Sequence, residues 1–136
     1  DKEPSSATSV LPSELSVLVV DDIATNRLVA KAHLHLHGIT VDEAASGAEA
    51  LARLQEDGID LVLLDMNMPG MDGTETLQRI RAMPGRTRLP VIAMTADATE
   101  AHRRRYLAAG MDGYLAKPLT PESVAEMLAR YAPAVL

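Results

Sequence analysis

Five polar residues in this chain stand where apolar runs end. Asp65 closes Ile59-Asp60-Leu61-Val62-Leu63-Leu64 and opens the turn Met66-Asn67-Met68-Pro69-Gly70. Asp21 and Asp22 follow Val17-Leu18-Val19-Val20, Thr95 follows Pro90-Val91-Ile92-Ala93-Met94, and Lys117, with Pro118 behind it, follows Gly113-Tyr114-Leu115-Ala116. A carboxylate at the end of a buried strand is costly to keep charged unless a cation or hydrogen bonds meet it. If these runs are neighbouring parallel strands, three carboxylates converge at one sheet edge, a cluster suited to a hard divalent cation with oxygen ligands. An acid pair, a third acid, a hydroxyl and an ammonium, each at a strand's carboxyl end, make a set suited to phosphoryl transfer.

Positioning such a set requires strands that alternate with helices, and the patterning supplies them. Strands are predicted at Ser16–Asp21, Thr40–Ala44, Ile59–Asp65, Pro90–Thr95 and Gly113–Lys117, with helices at about 25–37, 47–57, 73–82, 99–109 and 121–132. Ser46-Gly47-Ala48-Glu49 is a capping-box pattern, and Gly58 is placed to close that helix. Thr120-Pro121 puts a cap residue ahead of a proline at the first helical position, where its missing amide proton costs nothing. Strict β-α alternation with short connections implies parallel strands, an α/β fold. Three of the five strands are continuous apolar runs, as strands covered on both faces should be.

The chain has 136 residues, enough for one domain, and is 47% hydrophobic with only three tyrosines as aromatics, so its core must be aliphatic and methionine-filled. A formal charge of −6 argues against direct binding of nucleic acid. With no cysteine, disulfides, zinc thiolates and thiol catalysis are excluded. No apolar stretch approaches the roughly 20 residues that span a bilayer. Residues 1–14, rich in Pro, Ser, Ala and Thr, read as a linker or the tail of a preceding domain, with 15–136 as the folded domain.

The ordered elements Val20-Asp21-Asp22, Leu64-Asp65-Met66-Asn67-Met68-Pro69-Gly70-Met71-Asp72-Gly73, Met94-Thr95-Ala96, Tyr114 and Lys117-Pro118 together resemble the receiver domain of two-component response regulators. The resemblance implies a flavodoxin-like, doubly wound, five-stranded parallel sheet, (βα)5, in strand order 2-1-3-4-5. It implies that Asp65 is the phosphoacceptor. Mg²⁺ would be held by Asp22, Asp65 and the main-chain carbonyl of Asn67, with Asp21 acting through water. Thr95 and Lys117 would meet phosphoryl oxygens, helped by backbone amides near Met66 and Ala96. Tyr114 would be an aromatic switch, and the Lys117–Pro118 peptide is expected to be cis. The segments Val20 to Arg27, Ile92 to Ala96 and Gly110 to Leu119 look like those of receivers in hybrid sensor histidine kinases. The implied partner is a histidine kinase dimerisation domain or a histidine phosphotransfer protein, and the expected placement is cytoplasmic, with any membrane anchor elsewhere in a parent chain. A free single-domain regulator is the second reading.

On the first helix, Leu28, Ala32 and Leu36, with Val29, share one side at helical spacing and are expected to face the sheet, leaving Ala30 and Leu34 outward as a docking strip. His33, His35 and His37 lack an acidic partner one turn away and read as surface groups rather than ligands. Arg103, Arg104 and Arg105 form a basic run on the fourth helix, a solvated face or a partner contact. Two other chemistries fit less well. An aspartate-nucleophile phosphatase of the haloacid dehalogenase type expects a second aspartate where this chain has Asn67. A flavodoxin-like electron carrier needs a hydroxyl-rich phosphate loop where this chain has two acids.

Overall fold

The computed structural model describes residues 15–68, 70–96 and 99–131; the expected linker, residues 1–14, lies outside them. Five strands alternate with five helices: β1 (Ser16–Val20), α1 (Ala24–His35), β2 (Thr40–Ala44), α2 (Gly47–Arg53), β3 (Leu61–Asp65), α3 (Gly73–Ala82), β4 (Val91–Thr95), α4 (Glu100–Ala108), β5 (Gly113–Ala116) and α5 (Pro121–Tyr131). All strand pairs are parallel, in the order β2-β1-β3-β4-β5, the order the resemblance implied. The apolar runs β1, β3 and β4 take the three central places and are almost wholly buried, while the mixed sequences of β2 and β5 take the edges.

Alternation along the strands divides the core in two. Val17, Val19, Leu61 and Leu63 pack with Ala30 and Leu34 of α1 and Val124, Met127 and Leu128 of α5. Leu18, Val20, Val62 and Leu64 point the other way, toward Ala50 of α2, Leu77 and Ile80 of α3 and Tyr106 of α4. Helices thus cover both faces, so each central strand is apolar on both of its sides.

Helix starts follow the expected chemistry. Ser46 Oγ accepts the Glu49 amide at 3.1 Å, although the Glu49 carboxylate reaches back to the Ala45 amide, 2.9 Å, one residue earlier than a capping box requires. Thr120 and Ser123 cap α5 reciprocally, at 3.0 and 3.1 Å. α2 ends at Arg53, several residues short of the expected end. Gly58, at φ +110°, serves the later turn into β3 rather than closing the helix.

The register expected for α1 is overturned. Leu34 is fully buried (0% exposed) and Ala30 with it, whereas Leu28 (64%) and Leu36 (77%) face solvent with Val29 and Ala32. Both candidate strips recur at helical spacing, so periodicity alone cannot choose between them. Arg27 and Lys31, one turn apart, both reach Glu43 on β2, at 3.0 and 3.6 Å, pairs that go with the Ala30–Leu34 side lying on the sheet. Leu34→Ala should cost about 3 kcal/mol by leaving a cavity in the core, while Leu36→Ala should change stability by no more than about 0.5 kcal/mol. Urea unfolding of the two variants checks this, and a large loss in Leu36→Ala with little in Leu34→Ala would return α1 to the register expected from sequence.

Candidate functional site

The chain's strand order reverses between β1 and β3, and the residues just past those two strands carry the acids. Open parallel sheets hold ligands at such a crevice, outside the carboxyl ends of the strands. Carboxylate oxygens of Asp21, Asp22 and Asp65 all lie within 4.8 Å of one another. Asp21 and Asp65 are buried and Asp22 is exposed. Three like charges at that distance repel strongly unless a cation sits among them. Lys117 provides one: its Nζ donates to Asp21 Oδ2 at 3.0 Å and to Asp65 Oδ1 at 3.1 Å. The Lys117–Pro118 peptide is cis.

Backbone donors complete the arrangement. The Ile23 amide donates to Asp21 Oδ1 at 2.9 Å, and Arg27 holds the Asp21 carbonyl at 2.7 Å. The Asn67 amide donates to Asp65 Oδ1 at 3.2 Å. The Met66 amide is committed to the Met94 carbonyl at 3.1 Å, so the main-chain donor facing the acid is that of its neighbour Asn67. Among the described residues no donor lies on Asp65 Oδ2.

Local sequence explains how the turn after Asp65 is held. Asp72 caps α3 by accepting the Glu75 amide at 2.9 Å. The helix then begins at Gly73, where a Cβ would lie 2.8 Å from Met66 Cα and 2.9 Å from the Asp65 carbonyl oxygen. Only glycine lets α3 start so close to the strand end that carries Asp65. Thr95, fully buried, ends the adjacent strand β4, and its hydroxyl lies 3.3 Å from the Tyr106 hydroxyl. Tyr114, 37% exposed, stands on the outer side of β5 with the Arg103 guanidinium 5.8 Å from its ring centre.

The sequence-predicted residues Asp21, Asp22, Asp65 and Lys117 are therefore brought together, with Asn67 bonded to the cluster through its amide. Tyr114 lies apart from it. Three residues that bear on the site were missed. Asn26, whose amide lies 3.5 Å from Asp21 Oδ1, and Arg27 fall just over one helical turn after the acid pair, a spacing that could have flagged them. Tyr106 carried no such signal, being distant in sequence from every site motif. Among the described residues the three aspartates are the only cluster of metal-ligand type, so the histidines of α1 form none.

Burial, the strongest influence on Asp65, raises its carboxyl above the ordinary value of 3.8, outweighing the Asn67 amide and Lys117. For Lys117 burial acts downward but is overcome by bonds to Asp21 and Asp65, which raise the ammonium above 10.5. Lys117 is thus charged at neutral pH, and its stabilising contribution is present below pH 10.5 and lost only as pH rises through the higher folded value. Asp65 has the opposite sign. The folded state binds its proton more readily than the unfolded chain does, so the cost of the charged carboxylate is felt at neutral pH and relieved as pH falls toward 3.8.

Residues 17–129 match the model of the response regulator receiver domain. Sensor protein EvgS of Escherichia coli is 43% identical over 110 residues, 81% of this chain and 9% of that protein. Sensor histidine kinase RcsC of Salmonella typhi is 42% identical over 119 residues, 88% of this chain and 12% of its own. The chain therefore spans about a tenth of these relatives. Among solved structures, the receiver domain of sensor histidine kinase PA1611 from Pseudomonas aeruginosa, crystallised with a magnesium ion in its active site cleft, superposes at a TM-score of 0.80 with 34% identity, covering 88% of this chain and 98% of that one. Chemotaxis response regulator CheY4 of Vibrio cholerae gives 0.80 and 33%, covering 90% and 98%. The fold and acidic crevice are those of a CheY-like signalling domain. The chain belongs to the response regulator receiver domain family.

In chelator at pH 7, Asp65→Asn should raise the melting temperature, because it removes a carboxylate that burial makes costly to charge. The gain should shrink as pH falls toward 4. A variant less stable than wild type at pH 7 would contradict the burial cost assigned to Asp65.

Proposed function

We propose that this chain is a phosphoacceptor of a two-component phosphorelay, taking a phosphoryl group from a phosphohistidine onto Asp65. The carrying observation is the state of that carboxylate: Oδ1 is held by Lys117 and the Asn67 amide, while Oδ2 has no donor among the described residues. An Asp65 oxygen would attack phosphorus in line, forming an O–P bond as the N–P bond breaks. The electron pair stays on the imidazole nitrogen, which takes a proton from water. Lys117 would pair with one phosphoryl oxygen and Thr95 would donate to another. Tyr114, outward here, would be the residue that changes position in response.

The donor set fits Mg²⁺: three carboxylates, one of them open to solvent, offer hard oxygen ligands and leave room for water. Asp22, Asp65 and the Asn67 carbonyl would hold the ion, with Asp21 acting through water. When bound, it supplies neutralisation of the charge on the phosphoryl oxygens. The residues of this chain do the rest.

The partner reading rests on α1. Ile23, Leu28, Val29 and Leu36 are exposed, and Val29 lines the same cleft as Asp21, Lys117, Pro118 and Leu119. An apolar strip bordering an acidic acceptor site suits the histidine-bearing helix of a kinase dimerisation domain or phosphotransfer protein. Likeness to parts of EvgS and RcsC favours a hybrid sensor kinase as the parent chain, with residues 1–14 as its linker and the domain on the cytoplasmic side. A free regulator is the second reading, favoured by likeness to the single-domain CheY4.

Acetyl phosphate with Mg²⁺ should add one phosphoryl mass to the wild type, removable by hydroxylamine, and none to Asp65→Asn. Hydroxylamine-resistant labelling of the variant would sink the assignment. Leu28→Asp should leave melting temperature and acetyl phosphate labelling unchanged, yet slow transfer from a phosphohistidine protein about tenfold or more, because the new charge would be buried against an apolar helix. Undiminished transfer would place docking elsewhere.

A further inference from the structure

We infer that Tyr106 is a positioning residue for phosphoryl transfer: its phenolic O–H donates to Thr95 Oγ1 and so aims the threonine's own proton at the phosphoryl group on Asp65. The inference rests on the Thr95 role proposed above. Thr95 and Tyr106 are both buried, and their oxygens lie 3.3 Å apart. Tyr106 sits where α4 meets the acceptor turn, lining a polar cleft with Met66, Asn67, His102 and Arg105. Its ring is placed by the core on one side and by His102, whose ring centre is 6.1 Å away, on the other. The first turn of α4 is in turn fixed by Thr99, whose Oγ1 is 2.7 Å from His102 Nδ1.

Donor arithmetic then sets the direction. A hydroxyl has one proton and two acceptor positions. Phosphoryl oxygens only accept, so a Thr95 hydroxyl that serves one must give it its single proton. The Thr95–Tyr106 bond can then run in only one sense, from the phenol to the threonine oxygen. A hydroxyl that accepts one bond donates the next more strongly. At 3.3 Å the contact is longer than the usual 2.7–2.8 Å for O–H···O, leaving slack to be taken up as charge develops.

The test is a pair of substitutions and their combination. Tyr106→Phe keeps the ring and loses one oxygen. In acetyl phosphate and Mg²⁺ its maximal labelling rate and steady-state yield of aspartyl phosphate should fall about threefold to tenfold, the effect of one hydrogen bond. The half-saturating Mg²⁺ concentration should not move. In a Thr95→Val background the same substitution should change nothing further, since no hydroxyl remains to be aimed. Wild-type labelling by Tyr106→Phe, or an undiminished effect in the Thr95→Val background, would overturn the inference. Faster labelling would also overturn it, making the contact a latch that phosphorylation breaks. If Thr95→Val itself labels like wild type, the Thr95 role fails, whatever Tyr106 does.

Discussion

The site depends on one ammonium between two buried carboxylates. Without Lys117, Asp21 and Asp65 would face each other with little solvent to screen their repulsion. With it, Asp21 can stay buried at the end of β1, where it also accepts the Ile23 amide and so shapes the entry to α1. Asp65 is less fully compensated: its carboxyl remains raised by burial even with Lys117 and the Asn67 amide in place. That imbalance suits the proposed role: a carboxylate buried at some cost, with no donor on one oxygen among the described residues, would become more stable when a phosphoryl group and a cation share its charge.

The strand order puts this pairing where it is. Because β1 and β3 are neighbours and β2 and β4 diverge to either side, the crevice between their ends is left open by the crossover connections. Lys117 reaches across from β5, beyond β4, and Gly73 lets α3 close tightly on the turn after Asp65. The two faces of the sheet then have different tasks. α1 presents exposed apolar residues beside the acids, whereas α4 on the other face contacts Thr95 through Tyr106 and Tyr114 through Arg103.

Much of this was legible in the sequence because strand-end chemistry is local. A run of buried aliphatic residues that stops at Asp65 or Lys117 announces both a strand and the residue at its open end. Apolar composition likewise separated central from edge strands. What could not be read was rotational and long-range. Ala30–Leu34 and Leu28–Ala32–Leu36 are equally periodic on α1, and the groups that meet the chosen face, Glu43 and the core of β1 and β3, lie on other elements. Which amide near Met66 faces Asp65 could not be read either, because the β3–β4 ladder consumes that of Met66 and leaves that of Asn67, a fact of register rather than of residue type. Tyr106 was invisible for the same reason: its partner is set by how α4 lies on the sheet.

Chemical mapping of the labelled residue tests the central claim most directly. Borohydride reduces an acyl phosphate to a primary alcohol, so protein treated with acetyl phosphate and Mg²⁺, then reduced and digested, should yield homoserine at position 65 and at no other acid. Homoserine at position 21 or 22, or none despite a retained phosphoryl mass, would contradict Asp65 as the acceptor.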